Sequence, residues 1–243
     1  MGNRQQGRWR RQKARRLRPE GSWLVAGSAA QGGVRRASVM ACRSTLRDDP
    51  IGRRAVHVCV DMQRMYLEET PWALSWMPRV LPNIVKLCET CADNTYFTRF
   101  IPARRAGDGV GTWKRYYRRW DMMTIEQMGP QLVNLAPDLQ KFIPPAEVVD
   151  KPVYSPWLGS DLRARLEARG CDTVLVTGGE TDMCVLSTVL GAADYGYRTI
   201  VVEDAVCSTS DQSHDAMIDL FSNRYEQHIE TANTAEIVAK LKR

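Results

Sequence analysis

The sequence predicts an α/β fold, a three-layer α/β/α sandwich whose central sheet is mostly parallel and six-stranded. Short apolar segments rich in β-branched residues alternate along the chain with segments of about 12 residues that have the apolar period of a helix. Two of the apolar segments, TVLVTG and TIVVED, show no regular polar alternation, as expected for strands buried on both faces. A parallel sheet with helices on each side accounts for both observations.

The predicted elements begin after residue 54. In chain order, the predicted strands cover residues 55–60, 95–100, 148–150, 173–178 and 199–204, with a short last strand in QHIET. The predicted helices cover residues 78–93, 158–169, 181–195, 211–223 and 234–242. Gly170 and Gly196 directly follow two of these helices, at the position where glycine commonly ends a helix. A long irregular stretch, rich in aromatic residues, separates the second strand from the third.

The positive charge of the chain is concentrated in its first 50 residues. The 243-residue chain has a formal net charge of +6, and residues 1–50 hold twelve Lys and Arg against three Asp and Glu. This segment also contains WRRQKARRLR, which shows no apolar period. We therefore expect a basic, disordered N-terminal segment over residues 1–50 and a single folded domain over residues 51–243. Met40 is an alternative start, so residues 1–39 need not belong to the functional protein.

The seven cysteines indicate a reducing environment. Their number is odd and the chain is too long for a disulfide-stabilised mini-domain, so a cytoplasmic protein is expected. Cys88 and Cys91 form a CxxC motif inside the apolar pattern of a predicted helix. Because no second Cys or His pair follows, the motif favours buried core thiols over a metal or redox site. No apolar run reaches the roughly 18 residues of a membrane span, so no membrane partner is expected.

Three predicted strands end in residues with reactive side chains. The first strand is followed by Asp61, the third by Lys151, and the fourth by a Gly-Gly turn that leads to Cys184. Parallel strands bring their carboxyl ends to one edge of the sheet, where proteins of this class place their binding sites. A carboxylate, an ammonium group and a thiol are therefore expected to meet at this edge.

The residues around these positions resemble the isochorismatase-like cysteine hydrolases. VDMQ around Asp61, KPVYSPW from Lys151 and GGETDMCVLSTVLGAADYGYRTIVVEDAV from Gly178 occur in the family's order, followed by Ser208 and the pair His214-Asp215. The resemblance covers roughly residues 55–243 and implies a Rossmann-like strand order and a catalytic triad of Asp61, Lys151 and Cys184. It also implies a cis peptide bond at Gly179-Glu180 and a homo-oligomer, either a dimer or a tetramer.

The three side chains suit hydrolysis of a carbon–nitrogen bond through a thioester. Cys184 falls in the first turn of a helix, where the helix dipole and the nearby Lys151 are expected to lower the pKa of its thiol. Asp61 can accept the thiol proton and later deliver it to the leaving amine, while Lys151 holds Asp61 in place. The backbone N–H groups of Glu180 and Cys184 are expected to form the oxyanion hole. The predicted function is that of a cysteine amidohydrolase acting on a small amide-type molecule.

The segment after the second predicted strand argues against a metal cofactor. Nicotinamidases of this superfamily bind a metal through an Asp and His residues in this region, whereas RFIPARRAGDGVGTW contains no histidine. We expect neither a metal nor another cofactor, and nicotinamide becomes a less favoured substrate. True isochorismatases lack the cysteine, so Cys184 favours hydrolysis of a carbon–nitrogen bond over vinyl-ether chemistry.

Aromatic and basic residues near the same edge are candidates for substrate binding. Trp157 is the first candidate because it closely follows the third strand, and Trp72 is the second because its loop follows the first strand. Tyr154 is a further aromatic candidate, and Arg99 could bind a substrate carboxylate through its planar guanidinium group.

Three other interpretations remain open. The same fold could be a non-catalytic scaffold that binds a small ligand or a partner protein, in which case the thiol would be unreactive. A Cys–His dyad could use His57 or His214. Residues 1–36 could form a nucleic-acid-binding arm with steeply salt-dependent affinity. No nucleic-acid-binding module accompanies that arm, and residues 51–243 carry a net negative charge, so nucleic acid is not an expected partner.

Overall fold

A single parallel sheet lies at the centre of residues 44–241, the part of the chain that the computed structural model describes. Its strands are β1 Ala55–Val60, β2 Thr95–Phe100, β3 Glu147–Lys151, β4 Thr173–Gly179, β5 Arg198–Cys207 and β6 Ile229–Ala232. They pair in the order β3-β2-β1-β4-β5-β6, and every pairing is parallel. This sheet confirms the predicted six-stranded α/β fold with a Rossmann-like order.

The strand order changes direction at the middle of the sheet. From β1 the chain moves outward through β2 to β3, and it then crosses back to β4 on the other side of β1. At such a point a crevice opens outside the carboxyl ends of the two central strands, and ligands of doubly wound proteins bind there. The topology alone therefore predicts a ligand-binding site among the residues that follow β1 and β4.

Helices connect the strands and cover both faces of the sheet. The α-helices are α1 Arg64–Leu67, α2 Met77–Cys91, α3 Trp113–Arg119, α4 Ile125–Met128, α5 Pro137–Gln140, α6 Leu162–Ala168, α7 Leu186–Asp194, α8 Asp211–Asp219 and α9 Thr234–Leu241. Two π-helical turns, Thr181–Val185 and Leu220–Arg224, adjoin α7 and α8, and 3-10 turns lie at Ala92–Asn94, Asp121–Met123 and Pro130–Val133. The helix predicted from residue 158 begins only at Leu162, because the preceding residues form turns in which the Ser160 hydroxyl donates to the Pro156 carbonyl.

Alternate residues of β1 point to opposite faces of the sheet, which is the period of a strand. Val56, Val58 and Val60 belong to one apolar cluster with residues of α6 and α7. His57 is buried on the other face, where its Nδ1 lies 4.0 Å from the Cys88 sulfur of α2. The two sides of the core therefore sit on either side of one central strand.

The CxxC motif lies in α2 and contributes to this core. Cys88 has no exposed surface and Cys91 is 9% exposed. The Cys91 thiol donates to the Leu87 carbonyl at 3.3 Å, one helical turn earlier. The prediction that these two cysteines are buried core thiols is confirmed.

Residues 44–50 precede β1 and lie along the outer edge of β6. The Thr45 amide donates to the Thr231 carbonyl at 2.9 Å, and the Thr231 amide donates to the Thr45 hydroxyl at 2.8 Å. The Arg47 amide donates to a Glu230 carboxylate oxygen at 2.9 Å. The predicted disordered segment falls mostly on residues that lie outside the described part of the chain, so the predicted boundary after residue 50 stays a prediction.

Gly178 is required at the point where β4 runs beside β1. Its φ is +105°, a conformation that glycine adopts at little cost, and a Cβ there would lie 2.0 Å from the Val60 carbonyl oxygen.

We expect Gly178→Ala to lower the free energy of unfolding by at least about 3 kcal/mol. Urea denaturation followed by circular dichroism measures this change. Gly52→Ala is the control, because no described atom lies within 4 Å of a Cβ at Gly52. Equal effects of the two substitutions would contradict the prediction.

Candidate active site

Asp61, Lys151 and Cys184 meet at the carboxyl edge of the sheet. Asp61 directly follows β1, Lys151 is the last residue of β3, and Cys184 lies in the π-helical turn that follows β4. The Lys151 Nζ is 2.7 Å from Asp61 Oδ2, and neither side chain has exposed surface. The charges of both groups act on the Cys184 thiol and shift its pKa. The structure thus brings together the three side chains that the sequence predicts to meet.

The Lys151 ammonium group is held in its charged form. It donates to the carbonyls of Val153 at 3.1 Å and Tyr154 at 2.9 Å, and the Asp61 carboxylate provides a third acceptor, which matches the three donors of an ammonium group. Burial by itself would lower the pKa of Lys151, but the negative charge of Asp61 and its hydrogen bond with Lys151 act against burial, and the pKa is raised. Lys151 is therefore a fixed positive charge rather than a proton donor.

The Asp61 carboxylate is oriented from the neighbouring strand. The Thr98 hydroxyl donates to Oδ1 at 2.6 Å, and the Asp61 amide reaches the carbonyl and the hydroxyl of Thr98, each at 3.2 Å. The backbone of Asp61 has a φ of +52°, a left-handed conformation that Asp adopts more readily than most residues. Apart from the Lys151 ammonium group, no described residue is a hydrogen-bonding partner of the buried Oδ2. Oδ2 is therefore open to the proton of a neighbouring thiol.

The Cys184 thiol is protonated in the resting site. Burial raises its pKa, the Asp61 charge raises it further, and the Lys151 charge lowers it by less than the other two effects. The expectation of a lowered pKa is wrong in its net direction: Lys151 lowers the pKa as expected, but desolvation of a thiolate and the charge of Asp61 raise it by more. The neutral thiol is thus placed between a base and a fixed cation.

Substitution of the two charged neighbours should move the pKa of Cys184 in opposite directions. Lys151→Met removes the positive charge and should raise the pKa, whereas Asp61→Asn removes the negative charge and should lower it. Titration of the thiolate absorbance at 240 nm measures the pKa, after subtraction of the same titration in a protein that also carries Cys184→Ala. An unchanged pKa in both variants would show that burial alone sets it, and shifts in the same direction would contradict the roles assigned to the two charges.

The loop between β4 and the π-helical turn is held by the elements beside it. The peptide bond Gly179-Glu180 is cis, as the resemblance implies. Three side-chain contacts anchor the loop and the turn: the Thr209 hydroxyl to Glu180 Oε2 at 2.7 Å, the Ser208 hydroxyl to Asp182 Oδ1 at 2.5 Å, and Thr181 Oγ1 with His214 Nδ1 at 2.9 Å. Glu180 and Cys184, which lie on this loop and turn, both line a cavity.

A small, partly open cavity has Cys184 in its wall. Aromatic side chains dominate that wall, and two of the predicted substrate contacts, Trp72 and Tyr154, are among them. The residues that line it are Tyr66, Trp72, Phe100, Tyr116, Tyr154, Glu180, Met183 and Cys184.

Trp157 does not reach this cavity, which corrects its place as the first candidate for substrate contact. The indole Nε1 donates to the Thr188 carbonyl at 3.0 Å, and the rings of Tyr195 and Tyr197 flank the indole. A Cβ at Gly191 would lie 2.1 Å from the indole ring. Trp157 therefore packs against α7 as part of the core.

Arg99 is also directed away from the cavity. Its Nε and Nη2 donate to the two carboxylate oxygens of Asp150 at 2.7 and 2.8 Å. Thr98 and Phe100, its neighbours on β2, instead contact Asp61 and line the cavity. A strand alternates its side chains between two faces, so the guanidinium group pairs on the other side and is not placed to bind a substrate carboxylate.

Four residues of the site were not singled out from the sequence: Tyr66, Thr98, Phe100 and Met183. Phe100 is the last residue of β2, so the rule that places sites at strand ends could have identified it. Tyr66 belongs to a short helix in an irregular connection, where no period predicts which way a ring points. Thr98 carried no signal, because a threonine inside a strand is ordinary.

The histidines do not support a Cys–His dyad. His57 is fully buried, its ring nitrogens contact the hydroxyls of Thr95 at 3.2 Å and Thr177 at 2.8 Å, and burial lowers its pKa to about 3. His214 contacts Thr181, and burial lowers its pKa too. Neither lines the cavity.

Within residues 44–241, no helix is long and apolar enough to cross a membrane. In the same range, no group of three or more His, Cys, Asp or Glu side chains is arranged to hold a metal ion.

Comparisons with known proteins point to one family. The model of the isochorismatase domain matches residues 55–233. An uncharacterised isochorismatase family protein of Bacillus subtilis is 28% identical over 146 residues, which cover 58% of this chain and 73% of that protein. Maleamate amidohydrolase of Pseudomonas putida is 25% identical over 182 residues, covering 72% of this chain and 82% of that enzyme. The crystal structure of a cysteine hydrolase from Pseudomonas syringae pv. phaseolicola aligns with a TM-score of 0.68 and 23% identity, covering 78% of this chain and 92% of that one.

Proposed function

Because this chain belongs to the isochorismatase family, we propose that it hydrolyses a carbon–nitrogen bond of a small amide-type molecule, with Cys184 as the nucleophile. The observation that carries the proposal is the fully buried Asp61–Lys151 contact of 2.7 Å, beside a thiol at the wall of a cavity. The similarity to maleamate amidohydrolase over 72% of this chain supports an amide as the substrate class.

The first half of the reaction forms a thioester. The Cys184 sulfur attacks the amide carbonyl carbon while Asp61 Oδ2 accepts the thiol proton. Asp61 then delivers this proton to the amide nitrogen, the carbon–nitrogen bond breaks, and the amine or ammonia leaves. Because the resting thiol is neutral, proton transfer accompanies the attack and no buried thiolate has to persist.

The second half returns the site to its starting state. Water attacks the thioester carbon while Asp61 accepts a proton from it, and the carbon–sulfur bond breaks. The Cys184 sulfur takes back that proton, and the carboxylic acid product leaves. Lys151 stays charged throughout and keeps Oδ2 of Asp61 in place through the contact at 2.7 Å.

Two backbone amides would stabilise the oxyanion in both halves. The amide of Glu180 belongs to the cis peptide bond, and the amide of Cys184 lies in the π-helical turn. One donor of this kind is worth about 3 kcal/mol of transition-state stabilisation. A substrate carbonyl positioned by both needs no metal ion to polarise it.

A substrate screen with detection of the acyl-enzyme tests the proposal. The protein is mixed with a panel of small amides, ureides and carbamoyl compounds that includes maleamate, quenched in acid, and analysed by intact-mass and peptide mass spectrometry. We expect at least one compound to be hydrolysed and to leave an acyl group on Cys184. Turnover without an adduct on Cys184, or an adduct on another cysteine, would refute a Cys184 thioester. Binding of panel compounds without any turnover would favour the non-catalytic scaffold.

A further inference from the structure

The wall of the cavity is a cluster of aromatic rings around Trp72. The ring centroids of Tyr66, Phe100 and Tyr116 lie 6.2, 6.1 and 5.9 Å from that of Trp72, and Tyr154 lines the same space. The face of an aromatic ring carries negative potential and attracts a cation. Several rings around one space are the kind of site that binds quaternary ammonium groups.

Glu180 adds a negative charge to this wall. Its Oε2 is held by the amide and the hydroxyl of Thr209, at 3.2 and 2.7 Å. Burial is the largest cause of the raised pKa of Tyr116 and of Tyr154. The charge of Glu180 is a smaller cause of both shifts. The carboxylate therefore acts electrostatically on the space enclosed by the rings.

Among the described residues that line the cavity, none offers a positive charge to a substrate anion. No arginine is present in the wall. The Lys151 ammonium group is occupied by Asp61 and by the carbonyls of Val153 and Tyr154. It also lies 5.4 Å from the centroid of the Phe100 ring, so that ring already faces one cation and the other rings are the ones open to a second. Lys151 and Asp61 together are neutral, so the site has a net negative charge when Glu180 is ionised. Burial raises the pKa of Glu180, and the hydrogen bonds from Thr209 act against that rise.

The exposed face of α3 is basic, but it faces solvent. Lys114, Arg115 and Arg118 are exposed, while Tyr116 of the same helix lines the cavity. Charges in solvent are screened beyond roughly 8 to 10 Å at physiological salt. The basic residues of α3 therefore affect the approach of a substrate to the site more than the preference of the cavity for one substrate over another.

We infer that the substrate of this site is an amide whose non-reacting end carries a positive charge of the quaternary ammonium class. The inference rests on the proposed function and adds a substrate class to it. The ammonium group lies among the rings around Trp72 and near Glu180, with the amide carbonyl at Cys184. A carboxylate in the same place would lose its hydration, gain no partner and face Glu180, so anionic amides are disfavoured.

Three amides of equal chain length test the inference. They are 4-(trimethylammonio)butanamide, its neutral isostere 5,5-dimethylhexanamide, and the anion glutaramate. Calorimetric dissociation constants are measured in the Cys184→Ala protein, which cannot turn the amides over, and kcat/KM is measured in the unsubstituted protein. We expect the cation to bind about 10-fold more tightly than the isostere, and the anion more weakly than either. Equal binding of cation and isostere, or tightest binding of the anion, overturns the inference.

Glu180→Gln isolates the contribution of the charge. The substituted side chain keeps an oxygen for Thr209, and the readout is the ratio of cation to isostere affinity, which does not depend on the absolute rate. We expect this ratio to fall about threefold or more. Glu89→Gln is the matched control, because Glu89 is exposed on α2, and it should leave the ratio unchanged. An unchanged ratio in Glu180→Gln overturns the assignment.

The binding measurement separates this inference from the proposed function. A preference for the cation without turnover of any amide would contradict the hydrolase and retain the ligand class. Turnover of neutral or anionic amides through Cys184, with no preference for the cation, would retain the hydrolase and contradict the ligand class.

Discussion

Replacement of Cys184 by alanine should lower kcat on an accepted amide by about 10⁴-fold or more, the scale of losing the nucleophile in a hydrolase. The only route left is direct attack of water, for which neither the distance nor the proton transfer is arranged. Cys184→Ser should be nearly as inactive, because a hydroxyl holds its proton more tightly than a thiol and Asp61 would have to remove it. Steady-state assays of release of the amine or ammonia measure both variants.

Cys171→Ala is the control for this substitution. Cys171 is half-buried, and its thiol donates to the Thr173 carbonyl, at the end of the sheet opposite the cavity. It should retain kcat within about twofold, as expected of substitutions away from a functional site. A Cys184→Ala protein that keeps a tenth of the activity would show that another group is the nucleophile.

Asp61→Asn should lower kcat by about 10³- to 10⁴-fold, the contribution of a positioned general base. The amide cannot accept the thiol proton, even though its oxygen can still receive the Thr98 hydroxyl. The same substitution leaves the buried Lys151 ammonium group without its counter-ion, so the free energy of unfolding should fall by about 3 to 5 kcal/mol. Activity is therefore measured at a temperature at which circular dichroism shows the variant folded.

Asp150→Asn distinguishes loss of the base from general loss of charge. Asp150 lies one residue before Lys151, but its carboxylate pairs with Arg99 at the exposed side of β3. Its replacement should change kcat by less than about threefold, since an exposed ion pair contributes at most about 1 kcal/mol. If the two variants lose activity equally, Asp61 is not the base.

The strands could be predicted from the apolar pattern of the sequence. The meeting of Asp61, Lys151 and Cys184 could be predicted because each follows or ends a strand of the same parallel sheet. TVLVTG is apolar throughout and becomes β4, and the carboxyl ends of parallel strands share one edge whatever the loops do. The direction of a side chain in an irregular connection has no such rule. Trp157 follows Lys151 closely, yet the chain turns and directs the indole to the Thr188 carbonyl in the core.

The protonation state of Cys184 could not be predicted from the sequence, for a different reason. Local sequence places the thiol at a helix N-terminus, and the shared edge of the sheet brings Lys151 towards it; both features favour a thiolate. The raised pKa results from burial and from the Asp61 carboxylate, and both depend on how distant segments close over the sulfur. The pKa of this buried thiol therefore could not be predicted without the three-dimensional structure.

The contact between residues 44–47 and β6 has a consequence for how the protein behaves in a concentrated solution. β6 is the last strand of the sheet, and an uncovered terminal strand presents free N–H and C=O groups to which another molecule can add a strand. Thr45 occupies the backbone groups of Thr231 on that side. This short segment thus shields the sheet from intermolecular strand addition, and its detachment would appear first as aggregation rather than as a change in the distant cavity.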